Sequence, residues 1–365
     1  MTKEERLVCA LNREEPDRVP LYDLVDNSAI IQRYAGEKLT LENAHTVIPR
    51  ALNKVLDTTR VWMPHAPGHR VDERGFEFER GDWWNEWQVA TPFSDMPGLI
   101  NYVKSDIERL ESWQPADPQI ALQDRLEWKA RFGEVVIPAS SAGEALSAAY
   151  ITVGLDQFVY LEAEAPDLVD RWLRALHGQM MRRLQAQTQY RKISPIAWVF
   201  DDMAYNGRLM FSPRYLHTHR VFENIAEICD LYHSCDLKII FHSDGDITSV
   251  IPDLIAAGVD ALAPVDTPAG MDLAQLKADF GDHVGFVGGI DFNVLSHGSV
   301  DDVRQTTLQA LADAGPGGGF VLGSSSEELY EALPEENIRT MFETTWECGR
   351  YPIGKHFPKT FTPAR

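Results

Sequence analysis

The chain has 365 residues, 44% of them hydrophobic, with a formal net charge of −21. That length gives one large core or two medium ones, and an α/β barrel of this size is a single unit. The acidic balance excludes nucleic acid, whose phosphates call for clustered Lys and Arg, and makes a polyanionic small molecule an awkward substrate.

In chain order, Met1-Thr-Lys-Glu-Glu-Arg6 begins directly in a charged amphipathic segment, with no signal-peptide pattern. No apolar run approaches the roughly 18 residues of a membrane helix. The expectation is a soluble, cytoplasmic protein with no membrane partner. Eight short runs then read as strands: Arg18–Asp23, Val55–Met63, Val135–Ser140, Ile196–Asp201, Leu237–Ser243, Val259–Val265, His283–Ile290 and Gly319–Ser324. They are apolar on both faces, as strands buried between an interior and covering helices are.

Helices are predicted between them from their start signals. Ser212-Pro213 sets a capping hydroxyl before a proline. Asp266-Thr-Pro268 leads into Met271–Phe280, two aspartates open Val300–Ala314, and Leu333-Pro-Glu-Glu336 opens the last helix. The alternation predicts an α/β fold, a (β/α)8 TIM barrel, with a doubly wound sheet disfavoured because no G-x-G-x-x-G follows a strand.

The region Arg70–Pro118 breaks this rhythm. Gly75 to Val89 alternates like a β-ribbon and concentrates Trp83, Trp84 and Trp87. It reads as an aromatic-rich excursion near residues 70–118, beside the barrel mouth. The tryptophans form either a wall for a flat ring or a small packed hairpin. With no repeat or low-complexity linker, residues 1–365 read as one domain.

Active sites of such barrels lie at the C-terminal ends of the strands. Those ends carry Asp23 and Asp26, then Ser140, Ser141 and Glu144, then Asp201 and Asp202. His242, Asp244 and Asp246 follow, then Asp266, Asp291, and Ser324 through Glu328. The ring is acidic and nearly free of Lys or Arg. Its most informative stretch is Ile239-Ile-Phe-His-Ser-Asp-Gly-Asp246, where His242 and Asp244, two apart on a strand, can share a face. An imidazole and a carboxylate there can bind a divalent metal or move a proton. Asp266, before Thr267-Pro268, reads as a helix cap. The four cysteines, Cys9, Cys229, Cys235 and Cys348, include no C-x-x-C pair and suggest no disulfide framework.

Several motifs together resemble the uroporphyrinogen decarboxylase superfamily: Pro16-Asp-Arg-Val-Pro20, Phe241-His-Ser-Asp-Gly245 and Ile251 to Asp260, then Gly288-Gly-Ile-Asp291, Gly317-Gly-Gly-Phe-Val-Leu322 and Pro334-Glu-Glu-Asn-Ile338. The resemblance spans essentially the whole chain and implies a (β/α)8 barrel. The superfamily's decarboxylases carry an arginine-rich signature after the first strand. Here that place is Leu21-Tyr-Asp-Leu-Val-Asp-Asn-Ser28, where Asp23 and Asp26 would repel a substrate with eight carboxylates.

Its zinc methyltransferases exchange methyl groups with a corrinoid protein. The thiol-acting ones have His-x-Cys-Gly after the fifth strand and a cysteine after the eighth. This chain has His242-Ser-Asp-Gly245 and Ser324–Ser326 instead. The resemblance implies zinc held by His242 and Asp244, with Glu144, Asp202 or Glu327 as third ligand. Such a donor set is harder and more Lewis acidic than thiolates. It suits an O-demethylating enzyme that passes methyl from a small donor, such as a methoxylated aromatic, to a corrinoid carried by a partner protein. His242, Asp202 and Asp23 are the expected catalytic residues, and Trp83, Trp84, Tyr22, Asp26 and Ser324 the expected substrate contacts. The competing readings are a metal-free decarboxylase or lyase using His242 as acid–base, and a binding protein without catalysis. The sequence leaves the oligomeric state and the identity of the donor open.

Overall fold

The structure, a computed structural model, describes residues 1–60 and 62–363. Its centre is a parallel six-stranded sheet of β1 (Ser141–Gly143), β2 (Ile196–Phe200), β3 (Lys238–His242), β4 (Ala261–Val265), β5 (Gly285–Ile290) and β6 (Phe320–Ser324). These run in spatial order β6-β5-β4-β3-β2-β1. All but a few of their residues are buried, which explains their unbroken apolar runs. Helices alternate with the strands, among them Val221–His233, Leu273–Phe280, Val300–Ala314 and Glu335–Cys348.

The predicted strands from Ile196 onward are present, trimmed at their ends. The first three are reduced. Arg18–Asp23 and Val55–Met63 contribute only isolated bridges, the parallel ones Leu21 to Leu322, Tyr22 to Thr58 and Thr58 to Val136 and the antiparallel one Arg18 to Arg350. Position 61, inside the second predicted strand, lies outside the described residues. Proline explains much of the shortening, because Pro20 and Pro138 each remove a backbone donor from the ladder. The remaining backbone bonds still connect the two sheet edges. Tyr22 N–H donates to Leu322 O (2.9 Å), Asp57 N–H to Leu21 O (2.9 Å), Val136 N–H to Asp57 O (2.9 Å) and Ala139 N–H to Ile196 O (2.9 Å).

An inner apolar cluster joins one or two residues from every one of these segments except Val55–Met63 and β1: Tyr22, Val136, Ile196, Trp198, Ile240, Ala261, Ala263, Val287 and Val321. The N-terminal helix Lys3–Leu11 seals one end of it with Leu7, Ala10 and Leu11. A larger cluster lies between the strands and the helices. The helix is locked in place where Gly319 N–H donates to Ala10 O. Next to it, Gly318 has φ +74°, and a Cβ there would lie 2.1 Å from Glu14 O. Gly318→Ala should therefore cost about 1–2 kcal/mol in backbone conformation plus a comparable amount in displaced chain. Urea unfolding will measure it, and an unchanged midpoint would refute the tight approach.

The stretch 70–118 divides in two. Gly68–Val71, Glu77–Arg80 and Trp87–Ala90 form an antiparallel three-stranded sheet. Met96–Ser112 is a helix rather than ribbon, because Asp95 caps the Gly98 N–H and Pro97 occupies the first turn. The small sheet is tied to the rest by Gln88 Nε2 donating to Thr152 O and by Trp84 Nε1 donating to Glu331. The predicted starts at Ser212 and Val300 are also observed, with Ser299 completing a capping box. The helix expected from Met271 begins at Leu273, capped by Asp272, while Asp266 caps a short 3-10 turn. Among the described residues, no helix is long and apolar enough to cross a membrane.

Candidate metal centre

Parallel pairing of β2 with β3 sets Phe200 beside His242. Asp202 and Asp244 each follow their strand by two residues, so both carboxylates arrive at the same sheet end as the imidazole. His242 Nε2 lies 3.2 Å from Asp202 Oδ1 and 3.8 Å from Asp244 Oδ1. One donor atom from each of Asp202, His242 and Asp244 falls within 4.8 Å of the others. Gly245 permits the turn that follows. Its φ is +76°, and a Cβ would come within 2.9 Å of the backbone of Ala204, Tyr205 and Asn206.

The other imidazole nitrogen is also engaged. Nδ1 lies 2.8 Å from Glu327 Oε2, on a carboxylate that is fully buried beyond β6. Burial alone would favour neutral His242, but Glu327 and Asp202 outweigh it and push the imidazole up to about 10. Burial likewise opposes charge on Asp202, yet the His242 bond and charge hold it below the usual carboxylate range.

The structure brings some expected residues together and separates others. Asp202, His242 and Asp244 converge. Glu327 reaches the same ring from behind. Glu144 does not join them: its carboxylate caps the helix Ala145–Val153 through Leu146 N–H (2.7 Å) and accepts from Asn224 Nδ2 (2.8 Å). A carboxylate one residue before a helix N-terminus is held by that helix's free N–H groups. Asp23 and Ser324 satisfy each other, with Ser324 Oγ 2.6 Å and Ser324 N 3.1 Å from Asp23. Both are fully buried, and burial pushes Asp23 up to about 8 despite those bonds. Trp84 is buried and bonded as above, while Trp83 packs partly against the core.

Arg60 is a residue beside the centre that the sequence reading missed. Its guanidinium lies 5.4 Å over Trp198 and 5.3 Å over Phe200, with Nη2 3.4 Å from Glu327 Oε2. It gives the acidic ring a fixed positive charge. The predicted strand Val55–Met63 ran through it; ending that strand at Thr59 would have put Arg60 at a strand end, where functional residues gather.

Asp26 is buried, and its carboxyl hydrogen-bonds to that of Glu328. Burial and the neighbouring Glu328 push it up to about 9. The folded state therefore keeps a proton that the unfolded chain releases near pH ~4, and stability falls as pH rises between those values. Asp26→Asn removes this burden, so its stability gain over wild type should widen from about pH 5 to about pH 9. Paired urea titrations at those two values test this, and a gap that does not grow with pH would contradict it.

The uroporphyrinogen decarboxylase (URO-D) family model matches residues 89–348. No curated protein sequence matches the chain. A solved structure described as a methyltransferase from Methanosarcina mazei superposes with a TM-score of 0.67 at 16% identity, covering 95% of this chain and 99% of that one. At that identity the likeness is one of fold. A xylose isomerase domain protein from Alicyclobacillus acidocaldarius reaches a TM-score of only 0.33 at 12% identity, covering 69% of this chain and 96% of that one, and supports no comparison.

Proposed function

The chain belongs to the uroporphyrinogen decarboxylase family, and from that premise we propose a metal-dependent methyltransferase that moves a methyl group from a small methylated donor to a corrinoid protein. The observation carrying this reading is the two-sided hold on His242. Its Nδ1 is fixed by buried Glu327 and its Nε2 faces two carboxylates. A histidine ligand whose second nitrogen is held by a carboxylate is the usual way a metal site fixes ring orientation. The Methanosarcina methyltransferase, similar over nearly the whole chain, adds support for this branch.

The donor set fits a divalent ion. One nitrogen and two carboxylates, all on strand ends, match zinc chemistry and leave a coordination position free for substrate. His242, Asp202 and Asp244 would hold it, while Glu327 orients the imidazole rather than binding. A bound zinc would supply Lewis acidity at the ether oxygen of a methoxylated aromatic donor. The chain's own residues do the rest. Glu327 keeps the Nδ1 proton, so that Nε2 is the nitrogen free to coordinate. Arg60 balances the buried charge of Glu327.

We read the whole of residues 1–365 as a single (β/α)8 barrel domain with the aromatic ribbon as its excursion. Supporting this are the backbone bonds that lead from β1 back to β6 and the shared inner cluster. The acidic surface suits a corrinoid protein with a basic face.

Metal analysis by mass spectrometry, followed by methyl transfer from methoxylated aromatics to a Co(I) corrinoid, tests the reading. About one zinc per chain and chelator-sensitive transfer are expected. One observation favours a second reading: clamped between Asp202 and Glu327, His242 holds a proton at neutral pH, as a general acid in a metal-free decarboxylase or lyase would. Turnover that persists in chelator without any corrinoid would select that alternative.

A further inference from the structure

Behind the start of β2, a cavity of about 420 Å³ opens between the helices Pro118–Phe132 and Pro166–Ala186 and the short helix Tyr190–Ile193. That volume is within the range of small-molecule sites. The cavity is apart from the candidate centre. Ala139, in its lining, donates its N–H to Ile196 O, whereas His242 sits beside Phe200 at the other end of β2. Its apolar walls are Trp128, Leu184, Tyr190 and Ile193, all in or against the outer cluster. Trp128 is packed on Phe132 (6.1 Å between rings) and lies under Arg131 (5.2 Å), so this wall is fixed in advance. Ser140 adds a polar point, its Oγ accepting from Tyr232 Oη (2.9 Å).

Two arginines stand exposed at the rim, Arg125 from one long helix and Arg183 from the other. Arg125 makes no hydrogen bond or ion pair among the described residues. Arg183 makes one bond, from Nη2 to Ser141 O (2.9 Å), and has no carboxylate partner among them. Acidic partners are plentiful in a chain with 55 carboxylates against 34 basic residues, yet neither arginine has one. Desolvation by the surrounding chain, and then the Arg183 charge, lower the Arg125 pKa from its ordinary value. The lining holds a single carboxylate, Asp124, which forms an ion pair with neither arginine.

Two guanidinium groups against one carboxylate leave one positive charge over an aromatic hollow. A cation would be repelled, and an uncharged ring would leave both guanidinium forks unanswered. A compact inorganic anion would answer the forks and leave the aromatic wall unused. A planar monoanion answers both, because carboxylate and guanidinium match in shape and the ring can lie on Trp128.

We propose that this cavity is a binding site for a small aromatic carboxylate, held by Arg125 and Arg183 with its ring against Trp128. The site stands independently of the metal centre and of the methyltransferase reading.

Calorimetric titration of the full chain with benzoate, benzamide and inorganic phosphate tests it. Wild type should bind one benzoate with a Kd on the order of 0.1–1 mM, and each of the other probes at least about tenfold more weakly. Arg125→Gln and Arg183→Gln, each checked for native circular dichroism, should weaken benzoate about tenfold or more. Arg171→Gln, on the same helix as Arg183 and already paired with Glu111, controls for net charge and should change nothing. His242→Ala should also leave benzoate binding unchanged. No benzoate binding, equal binding of benzamide or phosphate, or an equal loss in Arg171→Gln would overturn the proposal. So would binding that depends on His242, which would put the anion at the strand ends. If Arg125→Gln does not fold, the wild-type ranking together with Arg183→Gln decides.

Discussion

His242→Ala is expected to yield a folded protein that holds no stoichiometric metal and transfers no methyl group. His242 supplies the one nitrogen among the three converging donors. Without it, Asp202 and Asp244 are two neighbouring carboxylates with no neutral ligand between them. The fold should survive, because the side chain ends β3 and is not part of either apolar cluster. Glu327 would lose its Nδ1 partner but keep Arg60 at 3.4 Å. A milder change separates holding from orienting: Glu327→Gln keeps the shape and should weaken metal binding about 10–100-fold. Competition titration against a chromophoric zinc chelator reads both variants. Full metal occupancy in His242→Ala would sink the assignment of the centre.

Asp57→Ala is expected to be the most damaging single change away from the mouth. The carboxylate is fully buried and accepts from Arg6 Nη1 (2.7 Å), Arg18 Nη1 (2.7 Å), Arg18 Nη2 (2.9 Å) and Leu21 N–H (2.8 Å). It joins the N-terminal helix to two of the bridging segments. Its removal leaves two guanidinium groups and a backbone donor facing an empty, water-poor space. Breaking such a buried pair costs about 3–5 kcal/mol, far more than the pair's net worth. Equilibrium unfolding of Asp57→Ala and Asp57→Asn will show the size, and a loss below about 1 kcal/mol, the range of surface ion pairs, would mean the arginines find other partners.

The sequence revealed the later strands well because β3 to β6 are dense runs of apolar residues with clear boundaries. It overstated the earlier ones, where Pro20 and Pro138 interrupt pairing that apolarity alone suggests. At the site, His242, Asp244 and Asp202 were readable as polar residues at strand ends. The engagement of Glu327 with Nδ1 was not, because it depends on a partner 85 residues away in the chain. Glu144 looked like a ligand for the same reason it is a good cap: an acidic residue just past a strand also sits just ahead of a helix. Arg60 was hidden by a strand boundary placed a few residues late.

The bridges from Leu21 to Leu322 and from Arg18 to Arg350 pair the start of the chain with its end. During synthesis the first of these partners leaves the ribosome some 300 residues before the second, at roughly 5–20 residues per second. For that interval the N-terminal segment has its early partners around Asp57 and Thr58 but not those on β6. Completion of the fold is therefore a late event with a high loop-closure cost. A chain truncated before Phe320 should behave as an aggregation-prone intermediate, dependent on chaperones rather than merely less stable.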